Sequence, residues 1–271
     1  MRQFGAMVWK KALVVAWVGL AGAASVLAQD KPVKIVLVGD STVATEGGWG
    51  PGFCAVMAKN VSCIDDALNG RSSKSFIDEG AWKKALDEHG NYYLIQWGHN
   101  DQKKEDPKRY TDPATSFQVN LKRYIADVRT IGAVPVLVTS LSRRNYRNGQ
   151  LVEDLTAYVQ ATKKVGAEEG IAVIDLNAIS VGILRKMTQD EADKFDRGSD
   201  PATGKLVKAA PDAVSATASG VDAPKAAALD RTHLNSYGQK VFGRIVAEQL
   251  GRVQGELAPD VVGESANGAG R

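Results

Sequence analysis

Histidine and cysteine are scarce in this chain, with three of one and two of the other in 271 residues. His89, His99 and His233 lie far apart, and Cys54 and Cys63 sit nine residues apart. That supply gives none of the closely spaced ligand sets of zinc sites, so no metal is expected and no organic cofactor is called for. Net charge is low as well. The formal value is +3, and the three basic residues behind it, Arg2, Lys10 and Lys11, all lie in the first 28 positions. From residue 29 onward basic side chains only balance the 31 acidic ones, so the pI near 8.7 reflects the amino end. Nucleic-acid binding, which needs a basic patch, is excluded on this count. After Leu27 no apolar run is long enough to cross a membrane. No internal repeat is present, which argues against a solenoid.

The amino end reads as an address. A basic start precedes the apolar run Ala12–Leu27, and Val26-Leu27-Ala28 has the small-x-small pattern of a cleavage point. Residues 1–28 are therefore expected to be a signal peptide, and the mature chain to be secreted or periplasmic with no membrane attachment. No Cys follows the cleavage point, which argues against a lipoprotein. In an exported chain Cys54 and Cys63 are a disulfide or two buried thiols; spacing alone leaves both open.

Beyond residue 29, strand-like and helix-like segments alternate. Apolar runs at Val33–Val38, Val61–Ala67, Tyr92–Trp97, Val134–Leu141 and Ile171–Leu176 read as five strands. Between and after them, Gly50–Lys59, Ser75–Glu88, Ser116–Thr130, Leu151–Glu169, Ala178–Phe195 and Ser236–Val253 read as helices. Such alternation predicts a three-layer α/β/α sandwich around a parallel sheet, with the flavodoxin-like strand order 2-1-3-4-5. One catalytic domain is expected over 29–254. It carries a loop or lid at 196–229, rich in Ala, Asp, Ser, Pro and Gly, and a mobile tail follows from 255 to 271.

The unusual residues fall at the carboxyl ends of neighbouring strands, the edge where open α/β sheets bind ligands. Gly39-Asp40-Ser41-Thr42 follows strand 1, Asn69-Gly70 strand 2, and Gly98-His99-Asn100-Asp101 strand 3. Asp230-Arg231-Thr232-His233 precedes the last helix. A serine hydroxyl is a weak nucleophile until a base takes its proton. His233 is a fitting base, and an acid three residues earlier can orient its ring. A tetrahedral intermediate also needs donors for its oxyanion. The backbone N–H groups of Ser41 and Gly70 and the side-chain amide of Asn100 are candidates. Each motif alone has a plain reading as a turn, a cap or a surface loop; their joint occurrence in this order favours chemistry.

These four blocks resemble those of the SGNH (GDSL-type) hydrolases, and the likeness spans residues 33 to about 250. It implies Ser41, Asp230 and His233 as the catalytic triad, with Ser41, Gly70 and Asn100 as the oxyanion hole. Gly48-Trp49-Gly50 and Asn69-Gly70-Arg71-Ser72-Ser73-Lys74-Ser75 further resemble the rhamnogalacturonan acetylesterase branch. That likeness implies a serine esterase whose partner is acetylated plant cell-wall polysaccharide or oligosaccharide. A lipolytic esterase or thioesterase of the same fold, or a non-catalytic carbohydrate-binding protein, is the alternative. Arg71, Arg143 and Arg144 sit where they could meet uronate carboxylates, or they are solvated surface arginines. Trp49 stacks on a sugar or packs internally, and His99 of the third block completes the candidate substrate-binding set.

Overall fold

The computed structural model describes residues 32–207 and 229–262. The signal-peptide segment, positions 208–228 of the expected lid and positions 263–271 of the tail lie outside the described residues.

In chain order the strands are β1 (Val33–Gly39), β2 (Val61–Asp65), β3 (Tyr92–Gln96), β4 (Val134–Val138), β5 (Tyr146–Arg147), β6 (Gln150–Leu151), β7 (Val173–Ile174), β8 (Asp196–Arg197) and β9 (Asp230–Leu234). The helices are α1 (Gly50–Cys54), α2 (Ser75–Asp78), α3 (Ala81–Asp87), α4 (Ser116–Thr130), α5 (Thr156–Glu169), α6 (Leu176–Leu184), α7 (Gln189–Ala192) and α8 (Ser236–Val253). The main sheet is parallel, with the order β2-β1-β3-β4-β7. This is the expected arrangement, with β7 as its fifth strand.

The sheet is covered on both faces because its strands are apolar on both. Ile35 and Leu37 of β1 join one core, with Trp49, Phe53, Phe242, Val246 and Leu250 from the α1 and α8 side. Val36 and Val38 point the other way, into a core with Trp82, Leu121, Tyr124, Val128 and Val165 from α3, α4 and α5. Successive side chains of a strand alternate faces, so one apolar run feeds both layers.

Local chemistry shifts several boundaries. The expected Leu151 helix starts only at Thr156, because β5 and β6 form a hairpin. Its two-residue turn is Asn148-Gly149, with Asn148 at φ 53°, the pattern that favours tight hairpins. Ser75–Glu88 is two helices broken at Gly80. β7 keeps only two residues because Asp175 caps α6, accepting from the Ala178 N–H.

The expected mobile tail is corrected over its first residues. Gly255–Asp260 forms a 3₁₀ turn with Leu257 buried against the α8 core. The Asp260 carbonyl accepts from the Ala58 N–H at 2.8 Å, and its carboxylate accepts from the Asn60 amide at 2.9 Å. Cys54 and Cys63 are bonded to each other, with Cα atoms 5.5 Å apart, and tie the end of α1 to β2.

Candidate active site

The turn after β1 is held from beneath by buried polar groups. Asp40 Oδ1 accepts from the Thr42 N–H at 2.9 Å and from its hydroxyl at 2.7 Å. The Gln96 amide donates to the same Thr42 oxygen at 2.6 Å, and Trp49 Nε1 donates to Gln96 Oε1 at 2.9 Å. All four of these side chains are buried, so Ser41 stands on a rigid floor while remaining partly exposed itself. Burial pushes the Asp40 carboxyl above its usual range.

Two further loops lock onto this turn. The Leu68 N–H donates to the Gly39 carbonyl at 3.0 Å, which brings the end of β2 alongside the end of β1. Gly70 sits at φ 77°, a left-handed conformation that side-chain-bearing residues rarely adopt. Asn100 Nδ2 donates to the Arg71 carbonyl at 2.9 Å, joining the third block to the second. The buried carboxylate of Asp101 accepts from the Ser73 hydroxyl (2.6 Å), the Thr111 hydroxyl (2.8 Å), and the N–H groups of Ser73 and Gly98 (both 3.1 Å). Burial is the largest influence on this group and, against those donors, pushes it up to about 6. Among the described residues neither the Ser41 N–H nor the Gly70 N–H donates to any acceptor, and one N–H of the Asn100 amide is also unengaged. Three donors are left for an incoming oxygen.

β9 delivers the acid and the imidazole. His233 Nε2 lies 2.6 Å from Ser41 Oγ, and its Nδ1 lies 2.6 Å from Asp230 Oδ2. The other Asp230 oxygen accepts from the N–H groups of Thr232 (3.0 Å) and His233 (3.1 Å). Burial raises the Asp230 pKa, but the hydrogen bond and charge of His233, with those two amides, outweigh it and hold the carboxyl at about 2. It is therefore an anion at neutral pH, fit to fix a ring with its proton on Nδ1 and its lone pair facing the serine. The Leu234 N–H donates to the Gly47 carbonyl at 2.7 Å, and a side chain on Gly47 would strike His233 Cβ at 2.9 Å. Asn235 caps α8 directly after β9.

The structure thus brings Ser41, His233 and Asp230 together, beside Gly70 and Asn100. It separates most of the candidate substrate-binding residues from the surface. Trp49 is fully buried and packs edge-on against Phe53, so it cannot stack on a sugar. His99 is buried, with Nδ1 3.5 Å from the Thr42 hydroxyl and 3.7 Å from Asp40. Burial first, then the nearby Arg143 guanidinium, hold it well below its ordinary range, so it is a neutral floor residue. Arg144 is fully buried: it pairs with Asp196, and its Nη2 donates to the His233 carbonyl at 2.9 Å. It supports β9 from behind. Arg143 is mostly covered, donating to Asp154 at 2.7 Å and to the Thr232 hydroxyl at 3.3 Å. Arg71 is the least covered of these, half-exposed and paired with Glu79 at 2.9 Å. Sequence reasoning had no signal for Asp196 as a partner, since it lies 52 positions from Arg144 without a shared period. Among the described residues no group of three or more His, Cys, Asp and Glu side chains could hold a metal ion.

A serine, an imidazole and a carboxylate in one relay at the carboxyl edge of a parallel sheet define an ester-hydrolase type of site. Residues 37–241 match the profile of the GDSL-like Lipase/Acylhydrolase family; the chain belongs to this family and is a carboxylic ester hydrolase. It is 38% identical over 165 residues to the probable rhamnogalacturonan acetylesterase YesY of Bacillus subtilis (strain 168), covering 58% of this chain and 76% of that protein. It is 40% identical over 159 residues to the rhamnogalacturonan acetylesterase RhgT of the same organism, covering 55% of this chain and 66% of RhgT. The fold is also similar to the crystal structure of the Bacillus subtilis protein YxiM. There the TM-score is 0.60 at 19% identity, over 82% of this chain and 57% of that one. This chain therefore spans little more than half of that structure.

Proposed function

We propose that this protein is an exported carbohydrate O-acetylesterase that deacetylates pectic, rhamnogalacturonan-type polysaccharide. The relay from Asp230 through His233 to Ser41, with both contacts at 2.6 Å, is the observation that carries the chemistry. Ser41 Oγ attacks the acetyl carbonyl carbon while His233 Nε2 takes its proton. The carbonyl oxygen becomes an oxyanion and is met by the N–H groups of Ser41 and Gly70 and the Asn100 amide. The intermediate collapses, the sugar oxygen leaves with the proton from His233, and the acetyl group stays on Ser41. Water, deprotonated by the same imidazole, then releases acetate.

The substrate reading is supported by two relatives that are named as rhamnogalacturonan acetylesterases and align over more than half of this chain. Export is supported by the disulfide, a feature of oxidising compartments, and by the composition of the first 28 residues. The test is acetate release from acetylated rhamnogalacturonan, homogalacturonan and xylan, run beside nitrophenyl esters of increasing acyl length. Release from rhamnogalacturonan with a preference for acetyl esters is expected; a preference for long acyl chains would defeat the proposal.

A further inference from the structure

Each half of the site has its own fastening. The Asn100 turn is tied to the second block through Asp101 and the Arg71 carbonyl, and β9 is backed by Arg144 and Asp196. Neither fastening fixes the Asn100 turn against β9. Among the described residues one side chain hydrogen-bonds to both, and it is Arg143.

Arg143 lies in the loop after β4. The N–H of its neighbour Arg144 donates to the Arg231 carbonyl at 3.0 Å, which sets this stretch of backbone beside β9. Arg143 Nε donates to the Thr232 hydroxyl at 3.3 Å. Thr232 precedes His233, and its own N–H donates to Asp230 Oδ1 at 3.0 Å. The other edge of the guanidinium meets Gln102. In the orientation that pairs both ends of its amide, the Gln102 oxygen accepts from Nη1 at 2.7 Å and from Nη2 at 3.0 Å, and its nitrogen donates to the Asp154 carbonyl at 3.0 Å. The Gln102 N–H donates to the Gly98 carbonyl at 3.2 Å and closes the turn that carries Asn100. Asp154 Oδ2 accepts from Nη1 at 2.7 Å and holds the fork in place. A guanidinium is planar and presents its donors at fixed angles, so it carries position from one edge to the other.

We infer that Arg143 is a positioning residue that sets the spacing between the oxyanion donor Asn100 and the base His233. The inference rests on the esterase reading above. In that reaction the acyl carbon lies between Ser41 and the oxyanion donors while His233 must still reach the leaving oxygen, so a shift of either side falls on the transition state. Arg143 touches neither substrate nor reacting atoms; it acts through Gln102 and Thr232.

The test is a set of variants assayed with nitrophenyl acetate beside a melting curve. Arg143→Met keeps the packing of the stem and should lower kcat roughly thirtyfold with KM within twofold, below the hundredfold cost of an ångström of misplacement. Arg143→Lys keeps the charge but not the fork and should lose nearly as much; full kcat in Arg143→Lys would overturn the inference in favour of a simple charge effect. Gln102→Ala and Thr232→Val should each cost about tenfold, yet each should change kcat less than twofold when added to Arg143→Met, because both act through the same side chain. A further tenfold loss in either of those doubles would show independent contacts and overturn the bridge. So would a loss of kcat that follows only the fraction unfolded. If wild type does not hydrolyse nitrophenyl acetate, the esterase reading fails, and the bridge is decided by the rate at which a fluorophosphonate labels Ser41. The same pattern of losses among the variants upholds it; equal rates, or no labelling of wild type, reject it.

Discussion

The two halves of the candidate site are built by different physics. Ser41, Gly70 and Asn100 stand at the ends of β1, β2 and β3, in register with a sheet covered on both faces. Their loops are joined by backbone bonds, by neutral side chains and by Asp101, whose carboxylate gathers donors from both the second and third blocks. Asp230 and His233 stand on β9, which pairs only with the two-residue β8, outside the main sheet. That strand is held by charge. Arg144 meets Asp196 and the His233 carbonyl, while Arg231 meets Asp193 at 2.9 and 3.0 Å. The proposed nucleophile and oxyanion donors are set by the fold's core; the proposed acid and base are set by a buried ionic clamp. Damage to one half should leave the other standing.

The largest effect belongs to the nucleophile. Ser41→Ala should lower kcat by roughly a millionfold with thermal unfolding unchanged. Asp230→Asn should cost about 10⁴-fold, since the oxyanion donors remain and only the ring's tautomer and orientation are lost. Steady-state kinetics with nitrophenyl acetate, beside a melting curve, measure both. A Ser41→Ala enzyme with wild-type turnover would remove the site altogether.

The clamp comes next. Arg144→Met leaves Asp196 buried without its partner, which should cost about 3–5 kcal/mol of stability. It also removes the donor to the His233 carbonyl, and misplacing the imidazole should lower kcat about a hundredfold. Arg144→Met with Asp196→Leu should recover most of the stability, because a buried pair replaced by apolar side chains is often neutral. It should not recover kcat. Recovery of both in the double variant would show that the clamp only stabilises and does not position the histidine.

This division also explains what was legible in the sequence. The sheet order, α4, α8 and the four motif blocks were readable because each rests on a local pattern: an apolar run, a helical period or a turn after a strand. Ser41, Gly70, Asn100, Asp230 and His233 were singled out as candidates for that reason. The Asn148-Gly149 hairpin was visible in the same way but was absorbed into the helix that follows it. Arg144–Asp196 was not legible, since pairing between residues 52 apart leaves no local trace. Exposure was equally hidden. Trp49 between two glycines reads equally as a sugar platform or as packing, and only its burial decides for the core; Leu257 is a buried apolar anchor in a mostly polar stretch.

Asp101 and Asp230 carry pH signatures of opposite sign, while Asp196 of the clamp, raised to about 7 by burial, shares the sign of Asp101. Asp101 is pushed up to about 6 in the folded protein, against an ordinary 3.8, so the native state holds its proton more tightly than the unfolded chain. Its contribution is greatest below pH 4 and declines as pH rises from about 4 to about 6. Because the group is buried, the decline should be about 2–3 kcal/mol at most. Asp101→Asn should flatten that limb in urea melts taken at successive pH values. A limb that stayed steep in the variant would assign the decline to other buried acids, Asp40 among them.

Asp230 has the reverse sign and the smaller effect. Its folded pKa of about 2 lies below the ordinary 3.8, so its stabilisation is complete above pH 4 and is lost as pH falls toward 2. The side chain is 39% exposed, and solvent screening reduces the contribution to about 1 kcal/mol or less. Asp230→Asn should therefore remove only a shallow rise in stability between pH 2 and 4 and leave the limb between 4 and 6 as in wild type. A single variant that altered both limbs would mean that the sheet-borne and clamp-borne halves unfold as one electrostatic unit, and the distinction between them would fail.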